Sequence, residues 1–201
     1  MVMPRPDGLT ADQMMSNAEI MSTRHRILFL SGYLGMNSVG QVIQDTSYCD
    51  VLLGMASVSK EPIKLFISSG GGLVTSMLSM YDTIKTLPAP VYTIGRYCAS
   101  AATVLLAAGT KRYLLPHAKV MLHLIRGGME GGLELMQVQA REARRDMDMM
   151  VDLLQDCGVK HNRTKILKDI RVEKWMTAQE AISYGLSDEV LTKETMQEWL
   201  Q

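Results

Sequence analysis

The sequence predicts an α/β fold, a largely parallel sheet covered by helices. Three observations predict it. β-Branched and aromatic runs at Arg24–Leu30, Ile63–Ile67 and Val91–Ile94 read as buried strands. Helical stretches alternate with these runs, the βαβ pattern of a parallel sheet. At 201 residues, 47% hydrophobic and 21% charged, the chain is long and apolar enough for one sizeable core, so residues 1–201 are read as a single domain.

The elements follow in order. Residues 1–9 form a Pro/Gly-rich arm, read as flexible. Thr10 to Gln13 fits a capping box and opens a helix to about Met21. Strand Arg24–Leu30 ends in a turn at Ser31-Gly32, and Asn37 caps a helix Ser38–Asp45 that continues towards Met55. Strand Ile63–Ile67 is followed by Ser68-Ser69-Gly70-Gly71-Gly72 and a helix Leu73–Leu87, stopped by Pro88 and Pro90. Strand Val91–Ile94 leads to an Ala/Leu helix, Ala101–Ala108, with Gly109 as its stop. Two strands follow, Arg112–Leu115 and Lys119–Leu124, separated by Pro116. After the glycine-rich link 127–132 comes a long helix, Leu133–Asp156, of about 36 Å at 1.5 Å per residue. Its apolar residues Leu133, Met136, Ala140, Ala143, Met147, Met150 and Leu154 make a narrow heptad seam suited to a partner helix; the alternative is an ordinary surface helix packed on the chain's own sheet. Gly158 stops it. A short helix near Arg163–Ile170 follows, then a capping box at Thr177 to Glu180 opening a helix closed by Gly185. Leu186–Leu191 reads as a last strand, and residues 193–201, with Trp199, as a polar fraying tail.

Composition narrows the function. Lys+Arg and Asp+Glu are equal at 21 each, which argues against a nucleic-acid surface or an anionic membrane as partner. Seventeen Met against two Phe points to adaptable apolar surfaces, in the core or between subunits. The cysteines, Cys49, Cys98 and Cys157, have no CxxC spacing and read as reduced thiols of a cytoplasmic protein. No apolar run is long enough for a transmembrane helix, and MVMPRPDG lacks a signal-peptide core. Without an HExxH motif or a His/Cys cluster, no metal and no cofactor are expected.

Three places can carry chemistry. Ser100 sits at a strand-to-helix turn, where free N–H groups and the helix dipole suit an acyl-transfer nucleophile; the structural reading is an N-cap. The glycines 70–72 expose backbone N–H groups to an incoming oxygen. A phosphate loop is disfavoured, because the GxxxxGK[ST] lysine is missing and Thr75 stands where GxGxxG needs glycine. The glycines are then an oxyanion loop or a bare turn. His123 closes an apolar strand at the carboxyl edge, where such sheets place their sites; the alternative is a core histidine.

Glycine loop, serine turn and histidine strand occur in a fixed order that resembles the proteolytic subunit of the Clp protease, ClpP. SSGGGLVTSMLSMYDTIKTLPAPVYTI is similar to that family's Ser-Pro-Gly-Gly stretch and the helix bearing Tyr-Asp-Thr. CASAATVLLAAGTKRYLLPHAKVMLH is similar to its nucleophile helix and histidine strand, and WMTAQEAISYGLSDEVL to its closing segment. The likeness runs from about Arg24 to Leu191 and implies a ClpP/crotonase-like fold with a protruding handle helix at 133–156. It implies a serine endopeptidase with Ser100 as nucleophile, His123 as general base and the N–H groups of Gly71 and Ala101 as oxyanion hole. The orienting acid falls on Glu173, where the family has Asp, with Asp169 as the alternative; Asp188 matches a non-catalytic Asp. Gly70 replaces the loop's Pro, Leu124-Ile125 replace Gln-Pro, and Arg171-Val172 replace the Asp-Arg pair linked to ring contact. Lys64, Phe66 and Tyr113 fall where the family receives unfoldase loops, Lys64 in place of Tyr.

The resemblance further implies two stacked rings of seven subunits, a homo-oligomer or a mixed ring with other Clp subunits. An AAA+ unfoldase would feed unfolded polypeptide into the chamber. Two other functions compete. One is a non-catalytic ClpP-like subunit of a mixed ring. The other is a crotonase-type acyl-CoA enzyme, which shares the glycine-loop oxyanion arrangement but uses acidic catalytic residues.

Overall fold

The structure is a computed structural model that describes residues 20–36, 47–128 and 131–201. The N-terminal arm, the expected capping box at Thr10, most of the helix it opens and the helix Ser38–Asp45 lie outside the described residues. A six-stranded sheet runs β1-β2-β3-β4-β5, with β6 beside β4. The strands β1 (Ile27–Leu34), β2 (Ile63–Gly72), β3 (Val91–Ala99) and β4 (Lys111–Leu122) are mutually parallel. β5 (Lys174–Thr177) lies antiparallel to β4, and β6 (Glu189–Val190) parallel to it.

The helices linking them are α1 (Ser47–Val58), α2 (Val74–Thr86) and α3 (Ala101–Ala108). α3 is apolar on all sides apart from Thr103, and every residue of it is buried. Such a helix belongs inside the fold. The sheet sorts its side chains by the strand period of two: Ile63, Leu65 and Ile67 face the main core with α3, while Phe66 faces a smaller cluster with Ile27, Ile94, Tyr113 and Leu191.

That smaller cluster corrects the C-terminal expectation. Residues Lys193–Leu200 are a helix, α7, capped by the Thr192 hydroxyl. Its Trp199 stands edge-on to Tyr113, with ring centroids 5.3 Å apart, and tilts over Tyr92 at 6.4 Å. Aromatic burial on the outer sheet face holds the segment that polarity suggested would fray.

Other differences have equally local causes. β2 does not stop at Ile67 but carries the glycines on to Gly72, because Gly71 and Gly72 pair with Tyr33 and Leu34 of a β1 that itself runs past Ser31-Gly32. Pro116 does not split a strand: β4 runs through it, and the β3–β4 register slips between Gly95 and Tyr97, so the imide sits where no ladder hydrogen bond is needed. Gly109 does not end α3 through a left-handed turn, since its φ is −60°. A Cβ there would lie 2.3 Å from Thr93 Oγ1, so close packing excludes a side chain. β5 was not foreseen.

The long helix is as expected, α4 (Leu133–Asp156), followed by α5 (Arg163–Ile170) and α6 (Ala178–Tyr184). α6 carries the full capping box of Thr177 and Glu180 and ends in left-handed Gly185. The seam of α4 divides in two. Met147, Met150 and Leu154 are buried against the chain's own core, while Leu133 and Met136 at the amino end are exposed. Arg112 staples the closing segment. Its guanidinium pairs with Asp188 and donates to the carbonyls of Cys157 (2.7 Å) and Gly185 (2.8 Å). His161 packs edge-on against the Tyr184 ring, with centroids 4.4 Å apart.

Candidate active site

β3 delivers Ser100 and β4 delivers His123, both at the carboxyl edge of the parallel sheet, where a site is expected. Two hydrogen bonds tie these strand ends together. The Ser100 N–H donates to the Met121 carbonyl at 2.9 Å, and so does the buried Thr103 hydroxyl, also at 2.9 Å. The elbow on α3 is therefore anchored to the residue two before the histidine.

Ser100 is not an ordinary cap. It precedes α3 but makes no side-chain cap hydrogen bond, and its backbone stands at φ 59°, ψ −128°. A non-glycine residue there carries strain of about 1–3 kcal/mol. A sharp strand-to-helix elbow that leaves the hydroxyl uncommitted is the geometry of an exposed serine nucleophile.

Gly71 lies directly against this elbow. Its φ is +98°, and a Cβ there would come within 2.7 Å of Ser100 Cβ and 3.0 Å of the Ala101 nitrogen. Only glycine permits that approach. Ala101 is the first residue of α3, so its N–H has no acceptor within the helix. The N–H of Gly71 is held by the Ser69 hydroxyl at 3.1 Å. Two donors thus flank the serine, one open and one occupied from within.

His123 is half-buried, and among the described residues its Nδ1 has no hydrogen-bond partner. Burial, followed by the nearby Arg126 charge, lowers its pKa below the ordinary value, so the ring is neutral at pH 7 and able to accept a proton. Ser100, Ala101 and His123 line one cleft of about 320 Å³ with Tyr33, Met77 and Met150.

The carboxylates are placed as follows. Leu122 pairs with Lys174 as the last step of the antiparallel β4–β5 ladder. The ladder stops there, one residue short of His123 beyond β4 and of Glu173 before β5. The Leu124 N–H adds a bond to the Ile170 carbonyl at 3.0 Å. The Glu173 backbone leaves the extended conformation, at φ 52°, and its side chain pairs with Arg126 rather than with His123. An exposed ion pair of this kind contributes only about 0–1 kcal/mol. Asp169 is committed elsewhere, to Lys165 at 2.5 Å and the Tyr184 hydroxyl at 3.1 Å, with Lys174 nearby. Burial opposes its ionisation, but these partners together hold its pKa below the usual carboxylate range. Asp188 holds Arg112, away from the cleft lining.

Sequence reasoning missed β5 and Arg126. For β5 the stretch Lys-Trp-Met-Thr, with Met176 buried between exposed Trp175 and Thr177, is too short for its period of two to be read from sequence. For Arg126 the signal was a lone cation three residues after the candidate base. No cluster of potential metal ligands occurs among the described residues, and no described helix is long and apolar enough to cross a membrane.

Residues 12–194 match the family model described as Clp protease. The chain belongs to the Clp protease family. Its curated relatives include ATP-dependent Clp protease proteolytic subunit 2 of Chlamydia pneumoniae, 38% identical over 163 residues that cover 78% of this chain and 79% of the relative. The ATP-dependent Clp protease proteolytic subunit of Dehalococcoides mccartyi is 35% identical over 176 residues, 85% of this chain and 84% of the relative. ATP-dependent Clp protease proteolytic subunit 4, chloroplastic, of Arabidopsis thaliana is 33% identical over 171 residues; the match covers 84% of this chain and 56% of that longer relative.

Proposed function

We propose that the chain is a serine endopeptidase subunit of the Clp type, with Ser100 as nucleophile, His123 as general base and Glu173 as the acid that orients the imidazole. The observation that carries this reading is the strained, uncapped Ser100 elbow, packed on Gly71 and sharing a cleft with a neutral histidine. His123 takes the hydroxyl proton as Ser100 attacks a peptide carbonyl. The N–H of Ala101, and that of Gly71 once it leaves Ser69, receive the developing oxyanion. The imidazolium returns its proton to the leaving amine, and water, activated by the same ring, hydrolyses the acyl-enzyme. Glu173, rotated from Arg126 to the Nδ1–H of His123, fixes the tautomer this requires.

The relatives' names support a subunit that works in an ATP-dependent assembly. We read the exposed amino-terminal half of the α4 seam as the handle joining two stacked rings, either homomeric or shared with other Clp subunits. An AAA+ unfoldase would supply unfolded polypeptide, and the cytoplasm is the compartment this implies. A non-catalytic role is not favoured by the relatives, all named proteolytic subunits. Labelling with a fluorophosphonate tests the reading: modification is expected at Ser100, and is lost in Ser100→Ala and His123→Ala. An assembled wild-type protein that takes no label would overturn it.

A further inference from the structure

The cleft holds a feature the triad does not need. Arg126 lines it beside Ser100 and His123, and among the described lining residues it is the one permanently charged side chain. The rest of the lining is largely apolar, including Met36, Leu73, Ile125 and Met150. Its partner is Glu173, which follows directly on the end of the β4–β5 ladder as His123, with its unsatisfied Nδ1, follows on the other strand. One carboxylate thus has two claimants, a guanidinium and an imidazole.

We propose that Arg126 is a specificity-determining residue that reads an acidic side chain of the bound peptide next to the scissile bond and, in binding it, releases Glu173 to His123. This rests on the serine-peptidase reading above. The Arg126 and Glu173 side chains keep 70% and 39% of their exposure, so the pair opens readily to a competing anion. A guanidinium left without its carboxylate in a cleft of apolar walls favours an anionic replacement over a neutral one. Glu173 itself occupies the place of that replacement in the resting state. Substrate binding and engagement of Glu173 are then coupled, so a neutral peptide or probe reacts, but more slowly.

The test uses the full-length assembled protein and pairs of fluorogenic peptides that differ only in Glu against Gln, placed in turn on each side of the scissile bond. At the position facing Arg126 the Glu peptide should be cut with kcat/KM at least about tenfold higher. The gain should appear in kcat as well as KM, because a mere docking contact would move KM alone. Arg126→Gln should cut both peptides alike and cut the Gln peptide faster than wild type does. Glu173→Gln should keep the KM preference and lose the kcat preference. A Glu/Gln ratio near one at every position, or a ratio unchanged in Arg126→Gln, overturns the proposal. Fluorophosphonate labelling runs in parallel. Labelled Ser100 with no acid preference overturns Arg126 as reader and leaves the peptidase reading intact; no label in either wild type or Arg126→Gln overturns both.

Discussion

Gly71→Ala tests the geometry of the site at its tightest point. The alanine would sit at φ +98° with its Cβ 2.7 Å from Ser100 Cβ, 2.8 Å from the Ala99 carbonyl and 3.0 Å from the Ala101 nitrogen. The backbone conformation alone costs an L-residue about 1–2 kcal/mol. Crowding against backbone that cannot rotate away adds about 1–3 kcal/mol. At roughly 2–4 °C per kcal/mol for a chain of this size, a combined penalty near 3 kcal/mol lowers Tm by about 6–12 °C. Gly158→Ala is the control: its φ is +90°, but nothing lies within 4 Å of the added carbon, so only the conformational part applies. The difference between the two variants measures the crowding. Catalysis should suffer more than stability, because the strain is relieved by moving the elbow away from the loop. Displacing one oxyanion donor costs about 10²–10³ in kcat. Thermal melts and peptide hydrolysis below the Tm of both variants are the assays. A Gly71→Ala protein no less stable than Gly158→Ala, or one with kcat within twofold of wild type, would refute the reasoning.

Three further outcomes are expected. His123 must be neutral to act as base, and burial and then Arg126 lower its pKa; kcat/KM should therefore stay level near neutral pH and fall as pH drops through a midpoint below 6.5. Arg126→Gln should raise that midpoint, and a wild-type midpoint at or above 6.5 contradicts the electrostatics. Arg112→Ala removes the donor shared by Asp188 and the Cys157 and Gly185 carbonyls, so denaturant unfolding should show a loss of about 2–4 kcal/mol; a loss under about 1 would mean that β6 and α6 are held without it. Met136→Lys, on the exposed end of α4, should lower the assembled mass in light scattering and leave the subunit's Tm nearly unchanged. Met147→Lys, whose side chain is buried in the subunit core, should lower Tm instead; equal effects of the two would erase the division of the seam.

Much of this molecule was legible before folding because it is written at short range. The alternation of β-branched runs with helical stretches announced the parallel sheet, and the seven-residue spacing announced α4. The small residues after Ala99 placed Ser100 at an elbow. Those signals depend on neighbours within a few residues, which is the range over which period and capping act. What lay beyond that range was misread. Residues 193–200 look polar in sequence; beyond the local Thr192 cap, the Tyr92 and Tyr113 rings, far back in the chain, dock their Trp199 against the sheet. Gly109 looks like a stop signal, and only Thr93 on the neighbouring strand shows that it is a space requirement. The seam of α4 looks uniform, and only the packed core shows that half of it is already used.

By itself, then, the sequence determined the order of most elements, though not β5, the C-terminal helix or the unbroken β4, along with the residue types at Ser100 and His123 and the glycines before them. The tertiary structure alone decided what engages each candidate carboxylate: Glu173 pairs with Arg126, and Asp169 with Lys165 and the Tyr184 hydroxyl. The first depends on an antiparallel pairing of β5 with β4 and on an arginine reaching over from the strand end. Register and ion pairing between segments some fifty positions apart arise only once the chain has closed on itself, because neither leaves a local pattern along the polypeptide.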